Sequence, residues 1–332
     1  METETVKLSV VIICWNDLRV IRDCLRSIYD RTHATNCEVI VSDNGSVDDS
    51  IEFIRKHYPG VRIVENQQNL GFARGNNAGI AASRGQYVLI LNPDTIIHDG
   101  ALDKLVEFAD RHSKAGAFGC RVLNPDGTYQ VSARLFPTIG RYWVGALGLS
   151  KLSSLLVYEE YPRWRGDTER PIDWQSGCCV MFRGNLLKRL GGFDEQFFYH
   201  FEEVDLCRRV WNSGYPILFT PDAEITHLGG QSVGRFPLRF EIEKHRSRYR
   251  YFYKHFGARA ARNCRSLSIA KIRVRQIGYG LLNMLRPAEI LQRRLEMYRE
   301  VVRWNQAIDP VEFVERGKEP SLEQTSVPQI SI

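Results

Sequence analysis

Two short segments of the chain bring together residue types that bind cations and move protons. Asn92-Pro93-Asp94 directly follows the apolar run 87–91, and a group of acids lies at 202–205. Proline cannot continue the hydrogen-bond ladder of a central strand, so Pro93 ends the strand and holds Asp94 at its rim. A fixed carboxylate there suits Mg²⁺ or Mn²⁺, which accept oxygen ligands and commonly take only one or two from protein. The segment therefore predicts a divalent cation site at Asp94.

The elements that must position this carboxylate alternate along the first hundred residues. Apolar, β-branched runs are typical of strands buried on both faces, and the segments between them have apolar residues at helical spacing. Strands are predicted at 7–15, 37–46, 60–66 and 86–94, and helices at 19–31, 48–58 and 71–85. This alternation predicts an α/β fold with a mostly parallel central sheet flanked by helices.

Polar residues follow each predicted strand. They are Asn16, the turn 43–46, Asn69 and the segment 92–94. Each alone is compatible with an ordinary turn, but ligands of open α/β sheets bind outside the carboxyl ends of the strands, so together they predict one binding crevice. The sequence contains neither a G-x-G-x-x-G nor a G-x-x-x-x-G-K-[ST] loop, which argues against a dinucleotide-dependent dehydrogenase or a P-loop enzyme.

The rest of the chain is less regular. The segment 137–172 is long for a structureless loop and predicts a mobile flap or an insertion with its own short helices. Residues 171–215 predict a strand, a helix, an acidic turn and a further helix, and 216–230 predict a pair of strands. Residues 240–304 have a helical, basic pattern.

Composition limits the class of protein. The chain has 332 residues, 43% of them hydrophobic, enough for a full core. It begins without a secretory signal and contains no apolar run of about 18 residues, so we expect an intracellular protein. Its eight cysteines form no CxxC pair, which favours reduced, partly buried thiols. Residues 235–303 contain 18 Lys plus Arg and 5 Asp plus Glu, whereas the whole chain carries only +6.

Seven segments of the chain resemble family 2 of the inverting glycosyltransferases, which have the GT-A fold, and within it the rhamnosyltransferase-like branch. In order they are VVIICWN, VIVSDNGSVDDS, NQQNLGFARGNNAGI, YVLILNPDT, SGCCVMFRG, GGFDEQFFYHFEEVDLCRRVWNSGY and ITHLGG, covering residues from 8 to about 230. The resemblance implies transfer of a sugar from a nucleoside diphosphate donor, with Mg²⁺ or Mn²⁺ at the diphosphate. The implied acceptor is a hydroxyl of a glycan or lipid-linked glycan in cell-surface polysaccharide synthesis.

The resemblance also assigns roles to individual residues. Donor-binding positions are Asn16, Asp43, which matches the acid at the pyrimidine ring, Arg74, Asn77 and Asn92. Metal-binding positions are Asp94 and His227; the catalytic base matches Glu203, with Gly177, Glu202 and Asp205 as motif neighbours. Two positions depart from the general pattern. Asn92 replaces the first acid of the DXD motif, as is common in this branch, and Glu203 replaces the usual Asp.

On this resemblance the chain divides into four segments. Residues 1–100 are expected to bind the nucleotide-sugar, 101–235 to bind the acceptor and supply the base, 236–305 to form a basic amphipathic helical extension, and 306–332 to form a disordered tail. The branch favours dTDP-L-rhamnose as the donor, with UDP-galactofuranose, UDP-hexoses or a dideoxyhexose donor as alternatives. A nucleotidyltransferase or a noncatalytic nucleotide-sugar-binding module would be a different class of protein with a related fold.

The basic extension predicts a further partner. Its segments HRSRYRYFYKHFG and IRVRQIGYGLLNMLRP combine Arg and Lys with aromatic or aliphatic residues but are too short and charged to span a bilayer. We therefore expect peripheral attachment to an anionic membrane surface, on its cytoplasmic face, where a lipid-linked acceptor would lie. A solvated helical cap is the alternative. Nucleic acid is not expected as a partner.

Overall fold

The computed structural model describes residues 5–146, 161, 164–229 and 237–318. These residues form two compact units. The first contains 5–136, 164–198 and 202–229, and the second contains 137–146, 161, 199–201 and 237–318. Both predicted halves, 1–100 and 101–235, contribute strands to the central sheet of the first unit.

The central sheet of the first unit has nine strands, in the order β3-β2-β1-β4-β10-β6-β11-β5, with β8 paired to β11. Strands β3, β2, β1, β4, β6 and β11 run in one direction, whereas β10, β5 and β8 run in the other. Their bounds are β1 Leu8–Cys14, β2 Cys37–Asp43, β3 Arg62–Glu65, β4 Tyr87–Leu91, β5 Thr95–Ile97, β6 Ala117–Leu123, β8 Arg170–Ile172, β10 Cys179–Arg183 and β11 Ile217–His227. A separate two-stranded sheet pairs β7 Ala133–Arg134 with β9 Trp174–Gln175.

The helices of the first unit are α1 Leu18–Arg31, α2 Ser50–His57, α3 Gly71–Ala82, α4 Ala101–Arg111, α6 Gly184–Arg189 and α7 Glu202–Asn212. The first three lie where the sequence predicts helices in the first hundred residues. Ile21, Leu25 and Ile28 of α1 are completely buried, as their helical spacing predicts. The predicted α/β fold with a mostly parallel central sheet flanked by helices is confirmed.

Helix α3 packs unusually close to strand β1 because its inner face is made of glycine. A Cβ atom at Gly75 would lie 2.5 Å from Cδ1 of Ile13, and one at Gly79 would lie 2.4 Å from Cγ1 of Val11. No side chain fits in either gap. The glycines in the segment GFARGNNAGI therefore set the distance between the helix and the sheet.

One strand prediction is wrong. Residues 216–230 were expected to form a pair of strands, but they contain the single strand β11, whose register shifts between Thr220 and Glu224. Pro221 lies inside the shift, at the kind of irregularity that tolerates a missing backbone donor. The first half of β11 pairs with β8 and the second half with β5, so one kinked strand pairs as two strands would.

The cysteines are free thiols, seven of them buried and Cys37 half-buried, as predicted. Burial raises the pKa of Cys14, Cys24, Cys207 and Cys264 to about 12. These thiols therefore act as small apolar core residues.

The second unit is helical. It contains α5 Ile139–Ala146, α8 Pro237–Leu285, α9 Glu289–Ala307 and α10 Pro310–Arg316. Helix α8 is interrupted at Gly257, whose φ of 81° favours glycine. The helix α5 confirms that the 137–172 region has a short helix of its own, while 147–160, 162 and 163 lie outside the described residues.

The expected C-terminal extension is confirmed, but the tail prediction for 306–332 is wrong over 310–316. Helix α10 has strong local end signals. The Asp309 carboxylate accepts hydrogen bonds from the N–H groups of Val311 and Glu312, Pro310 occupies the first turn, and Gly317 ends the helix in a left-handed conformation. Residues 319–332 lie outside the described part of the chain.

Within the described residues, no helix is long and apolar enough to cross a membrane.

Candidate active site

The carboxyl ends of strands β1 and β2 are linked by a network of polar side chains. Asp43 ends β2, and its Oδ1 accepts a 3.0 Å hydrogen bond from the Ser46 N–H, which closes the turn. The Asn44 amide donates to the Gly71 carbonyl, 3.0 Å away, and its Oδ1 accepts from Asn66. These contacts fix the turn 43–46, so Asp43 is held at the sheet edge as the sequence predicts.

Asn16 joins the first two loops at this edge. Its backbone is left-handed, with a φ of 57°, a conformation that asparagine tolerates better than most residues. Its Oδ1 accepts hydrogen bonds from the N–H groups of Val47 and Asp48, at 2.7 and 3.2 Å. The side-chain carbonyl is therefore committed to the protein, and the predicted donor contact of Asn16 stays a prediction.

Asp94 and His227 lie together at the same edge. Asp94 is only 8% exposed, and its Oδ1 lies 3.2 Å from Nε2 of His227. Strand β5 pairs with β11 so that Thr95 is opposite His227, and the Leu228 N–H donates to the Asp94 carbonyl. The sheet therefore brings together two residues that are 133 positions apart in the sequence.

The chemistry of this pair fits a divalent cation. Nδ1 of His227 lies 2.7 Å from Oε1 of Gln130, an acceptor, so Nδ1 carries a proton. With one proton on the ring, Nε2 presents a lone pair beside the Asp94 carboxylate, and a cation shared by both relieves the contact between two acceptors. Two protein ligands suffice for a metal that takes its other ligands from a diphosphate and water. No group of three or more His, Cys, Asp or Glu side chains suited to a metal occurs in the described residues.

Asn92 lies next to this pair. Its N–H donates to the Cys178 carbonyl, and its carbonyl accepts from the Thr95 hydroxyl at 2.7 Å, so the turn after β4 is fixed from both sides. Its Nδ2 lies 3.5 Å from Nε2 of His227. The structure thus brings Asn92, Asp94 and His227 together, and their donor and metal contacts stay predictions.

The three acids of helix α7 have different surroundings. Asp205 is fully buried and pairs with Arg209 at 2.8 Å, and Arg209 also donates to the carbonyls of Leu190 and Gly192. Asp205 therefore has a structural role, holding the loop before α7. Glu202 is also buried, whereas Glu203 is half-buried. Of the three, Glu203 is the most exposed residue, with its Oε2 atom buried.

Gly177 and Cys178 are neighbours of Glu203 and of the turn 92–94. A Cβ atom at Gly177 would lie 3.2 Å from the Phe72 ring and 3.7 Å from Cβ of Glu203. The carbonyl of the next residue, Cys178, accepts a hydrogen bond from the Asn92 N–H, and burial raises the pKa of the Cys178 thiol to about 12. The segment 177–178 therefore lies next to both Glu203 and the turn that carries Asp94.

Two successive residues before helix α7 have left-handed backbones. The φ angles are 67° at His200 and 70° at Phe201. Such a conformation costs about 1 to 3 kcal/mol for each non-glycine residue and persists only where surrounding contacts enforce it. In the second unit, Ser247 donates to the Tyr199 carbonyl and the Phe201 ring packs 5.2 Å from that of Tyr251. The chain thus enters helix α7 through a constrained backbone.

Arg74 and Asn77 of helix α3 contact the loop that contains Phe193 and Glu195. Nδ2 of Asn77 donates to the Phe193 carbonyl and its Oδ1 accepts from the Phe193 N–H, both at 2.9 Å. Nε of Arg74 lies 3.4 Å from the Glu195 carboxylate, and both side chains are more than half exposed. Asn77 therefore fixes the loop 191–195 to helix α3, and the donor contacts of both residues stay predictions.

One residue at the site, Gln130, was not predicted from the sequence. Gln130 follows the turn 124–127, a second Asn-Pro-Asp segment that resembles an ordinary hairpin turn in the sequence. Its N–H donates to the Val122 carbonyl, which places it beside the end of β11. Because glutamine is common on exposed strands, only the pairing of β6 with β11 identifies it as the partner of His227.

A cavity of about 280 Å³ lies elsewhere, at the opposite edge of the sheet. Its lining includes Gln86, before β4, and Arg183, at the end of the reversed strand β10. The Arg183 guanidinium donates to the carbonyls of Ala109, His112 and Ala115, so its charge is used within the protein. The cavity lies away from Asp94 and His227.

Comparison with known proteins identifies the family of the chain. Residues 9–190 match the family described as Glycosyl transferase family 2. The chain therefore belongs to glycosyl transferase family 2. It is 32% identical over 223 residues to an N-acetylglucosaminyl-diphospho-decaprenol L-rhamnosyltransferase of Mycobacterium tuberculosis (strain CDC 1551 / Oshkosh), covering 64% of this chain and 73% of that protein. It is 27% identical over 203 residues to the rhamnosyltransferase WbbL of Escherichia coli K12, covering 57% and 72%.

The fold is that of the GT-A glycosyltransferases. The mannosyltransferase PcManGT from Pyrobaculum calidifontis, solved in complex with GDP-Man and Mn²⁺, superposes with a TM-score of 0.55 at 15% identity, covering 96% of this chain and 89% of that one. At this identity the likeness concerns the fold alone. The predicted family and fold are confirmed.

Replacing Asn77 with alanine should destabilise the first unit. The N–H and carbonyl of buried Phe193 would lose their partners, and an unsatisfied buried polar group costs about 1 to 3 kcal/mol. Thermal unfolding of the variant measures this loss. Arg74→Ala is the matched control, because it breaks only an exposed ion pair worth about 0 to 1 kcal/mol. Unchanged unfolding of Asn77→Ala would contradict the structural role, and calorimetric titration with dTDP tests the predicted donor contact separately.

Proposed function

We propose that this glycosyltransferase moves L-rhamnose from dTDP-L-rhamnose, with inversion, onto a hydroxyl of a glycan or lipid-linked glycan in cell-surface polysaccharide synthesis. The observation that supports the proposal best is the Asp94–His227 pair at the sheet edge, with Glu203 beside Gly177 and Asn92 bonded to Cys178. The relatives described as rhamnosyltransferases favour the donor. Another donor, such as UDP-galactofuranose or a UDP-hexose, is compatible with the same site.

We assign the residues at this edge separate roles in a displacement reaction. The acceptor oxygen forms the new bond to the anomeric carbon as the bond from that carbon to the diphosphate oxygen breaks. Glu203 takes the acceptor proton, and the nucleoside diphosphate leaves with the electron pair. Inversion requires attack from the face opposite the leaving group, so the base and the diphosphate site must lie on opposite sides of the sugar.

The diphosphate side is assigned to the first part of the site. Asp94 and His227 would hold Mg²⁺ or Mn²⁺, which when bound stabilises the charge that develops on the diphosphate. Asp43, Asn16 and Asn92 lie at the same edge and are assigned to the nucleoside.

Release of nucleoside diphosphate from a panel of nucleotide-sugars, with Mn²⁺ and an acceptor extract, tests this function. Turnover should be greatest with dTDP-L-rhamnose and should disappear in Asp94→Ala, because the metal site is lost. Asp99→Ala is the matched control, since Asp99 is an exposed carboxylate five residues away that pairs with His33. Near-normal turnover of Asp94→Ala in the presence of a chelator would refute the metal assignment, and stoichiometric binding without turnover would indicate a noncatalytic module.

Glu203→Gln should lower turnover at least 100-fold, since general base catalysis contributes about 10²- to 10⁴-fold. Affinity for the donor should remain normal because the base contacts the acceptor. Steady-state kinetics and donor titration measure the two effects. Glu202→Gln is the matched control, and Asp205→Asn should act through stability, because it leaves Arg209 without its buried partner. An active Glu203→Gln with an inactive Glu202→Gln would move the base to Glu202.

We propose in addition that the second unit binds an anionic membrane surface through the region Val274–Ile290. From 245 to 288 the chain contains 11 Lys plus Arg and no Asp or Glu. Large apolar side chains are exposed along the same helical segment, with Met284 81% and Leu285 79% accessible. Exposed apolar residues flanked by cations suit the interface of an anionic bilayer.

The proposed membrane surface is smaller than the region 240–304 predicted from the sequence. Tyr249, Tyr251 and Phe252 of the segment HRSRYRYFYKHFG are completely buried, so they pack inside the second unit. The prediction that this segment presents its aromatic residues to lipid is therefore wrong for these three, whereas Phe256 is 38% exposed. The exposed apolar residues are Val274, Ile277, Leu281, Leu282, Met284, Leu285 and Ile290.

Flotation with liposomes tests the membrane proposal. Binding to anionic vesicles should exceed binding to neutral ones and should weaken with salt, since each Lys or Arg near the surface adds about 1 kcal/mol. Arg273→Gln with Arg275→Gln should lower binding about tenfold or more on that scale, and Leu281→Ser with Leu285→Ser should weaken it through lost burial. Arg111→Gln with Lys114→Gln removes the same charge from the first unit and should have little effect. Equal binding to anionic and neutral vesicles would refute the proposal, and so would an equal loss of vesicle binding in the control variant. Selective binding of an oligonucleotide would instead favour nucleic acid as the partner.

A further inference from the structure

A chain of side-chain hydrogen bonds runs from the surface to His227. The Thr128 hydroxyl lies 2.6 Å from Oδ1 of Asp126, and Nδ2 of Asn124 lies 3.0 Å from the Thr128 hydroxyl. Nε2 of Gln130 lies 2.9 Å from Oδ1 of Asn124, and Oε1 of Gln130 lies 2.7 Å from Nδ1 of His227. Five side chains are thus connected in a single line.

The first group in the line determines the direction of every later bond. The Thr128 hydroxyl, with the Thr128 N–H, holds the pKa of Asp126 below its usual range, so Asp126 is a carboxylate that only accepts. The single Thr128 proton is given to Asp126, and the Thr128 oxygen must accept from Asn124. Asn124 then presents its carbonyl to the Gln130 amide. Gln130 in turn presents its own carbonyl to His227.

We infer that this line, which we call the Asp126–Gln130 relay, holds the proton of His227 on Nδ1 and thereby keeps Nε2 available as a ligand. Gln130 is therefore a positioning residue for the proposed metal site. The inference rests on the function proposed above only because it takes Nε2 to bind the metal.

The relay matters because Asp94 favours the opposite tautomer. Oδ1 of Asp94 lies 3.2 Å from Nε2 of His227, so a proton on Nε2 would be donated to Asp94. The two groups would then satisfy each other, and neither would be free to bind a cation without first breaking that bond. When the ring has a single proton, holding it on Nδ1 against Gln130 leaves no proton on Nε2 for this mutual hydrogen bond. Partners of this kind typically change metal affinity about 10- to 100-fold when they are removed.

The tautomer is measured directly by long-range ¹H–¹⁵N correlation spectra of metal-free protein labelled in its histidines, at alkaline pH, with His227 assigned by its absence in His227→Ala. The wild-type ring should carry its proton on Nδ1. Gln130→Met should shift the proton to Nε2. Asn124→Ala should move it in the same direction, because the Gln130 amide is then free to turn over. Gln130→Glu should retain the wild-type tautomer, since it keeps an acceptor next to Nδ1.

Binding of Mn²⁺, followed by electron paramagnetic resonance with and without dTDP, provides the second measurement. Gln130→Met should weaken Mn²⁺ about 10- to 100-fold, while Gln130→Glu and the exposed control Gln196→Met should not weaken it. A wild-type proton on Nε2 would overturn the relay. So would Gln130→Met with the wild-type tautomer and affinity, or Gln130→Glu behaving like Gln130→Met. The wild-type tautomer on Nδ1 together with no turnover of any donor would refute the proposed function and leave the relay intact.

Discussion

The pairing of β5 with β11 is the constraint on which the site depends. Strand β4 ends at Leu91, the turn 92–94 reverses into β5, and β5 pairs antiparallel with the last residues of β11, opposite His227. Because strand register is fixed by burial of alternate side chains, a slip of one residue would turn His227 away from the crevice. The buried side chains of Ile97 and Ile225 hold this register. A site formed from distant parts of the chain is therefore as stable as the sheet itself.

The three acids of helix α7 differ more in their surroundings than in their chemistry. Asp205 is fully buried, and Arg209 joins it to two carbonyls of the preceding loop, so its charge stabilises the fold. Glu203, in the same helix, is half-buried. The dipole at a helix N-terminus favours acids in general there, so position on the helix alone cannot assign the base. Burial and pairing distinguish them.

Much of this organisation could be predicted from the sequence. The first four strands and three helices follow from apolar spacing, and Pro93 correctly predicts where β4 ends. What could not be predicted depends on contacts across the sheet. Periodicity does not reveal that 217–227 is one strand with a register shift, that Asn77 binds the backbone of Phe193, or that Gln130 reaches His227. The aromatic residues of 249–252 have the composition of an interfacial segment, yet packing within the second unit buries them.

The asparagine at position 92 is consistent with the proton arrangement at His227. Nδ2 of Asn92 lies 3.5 Å from Nε2 of His227, and an amide N–H is a partner for a ring nitrogen with a lone pair, whereas it would oppose a protonated one. An aspartate at this position would add a second carboxylate beside the ring and favour the imidazolium, which has no lone pair for a cation. Gln130 as an acceptor on one side of the ring and Asn92 as a donor on the other thus favour the same tautomer. The replacement of an acid at position 92 therefore removes a charge from the site and places an amide donor beside Nε2 of His227.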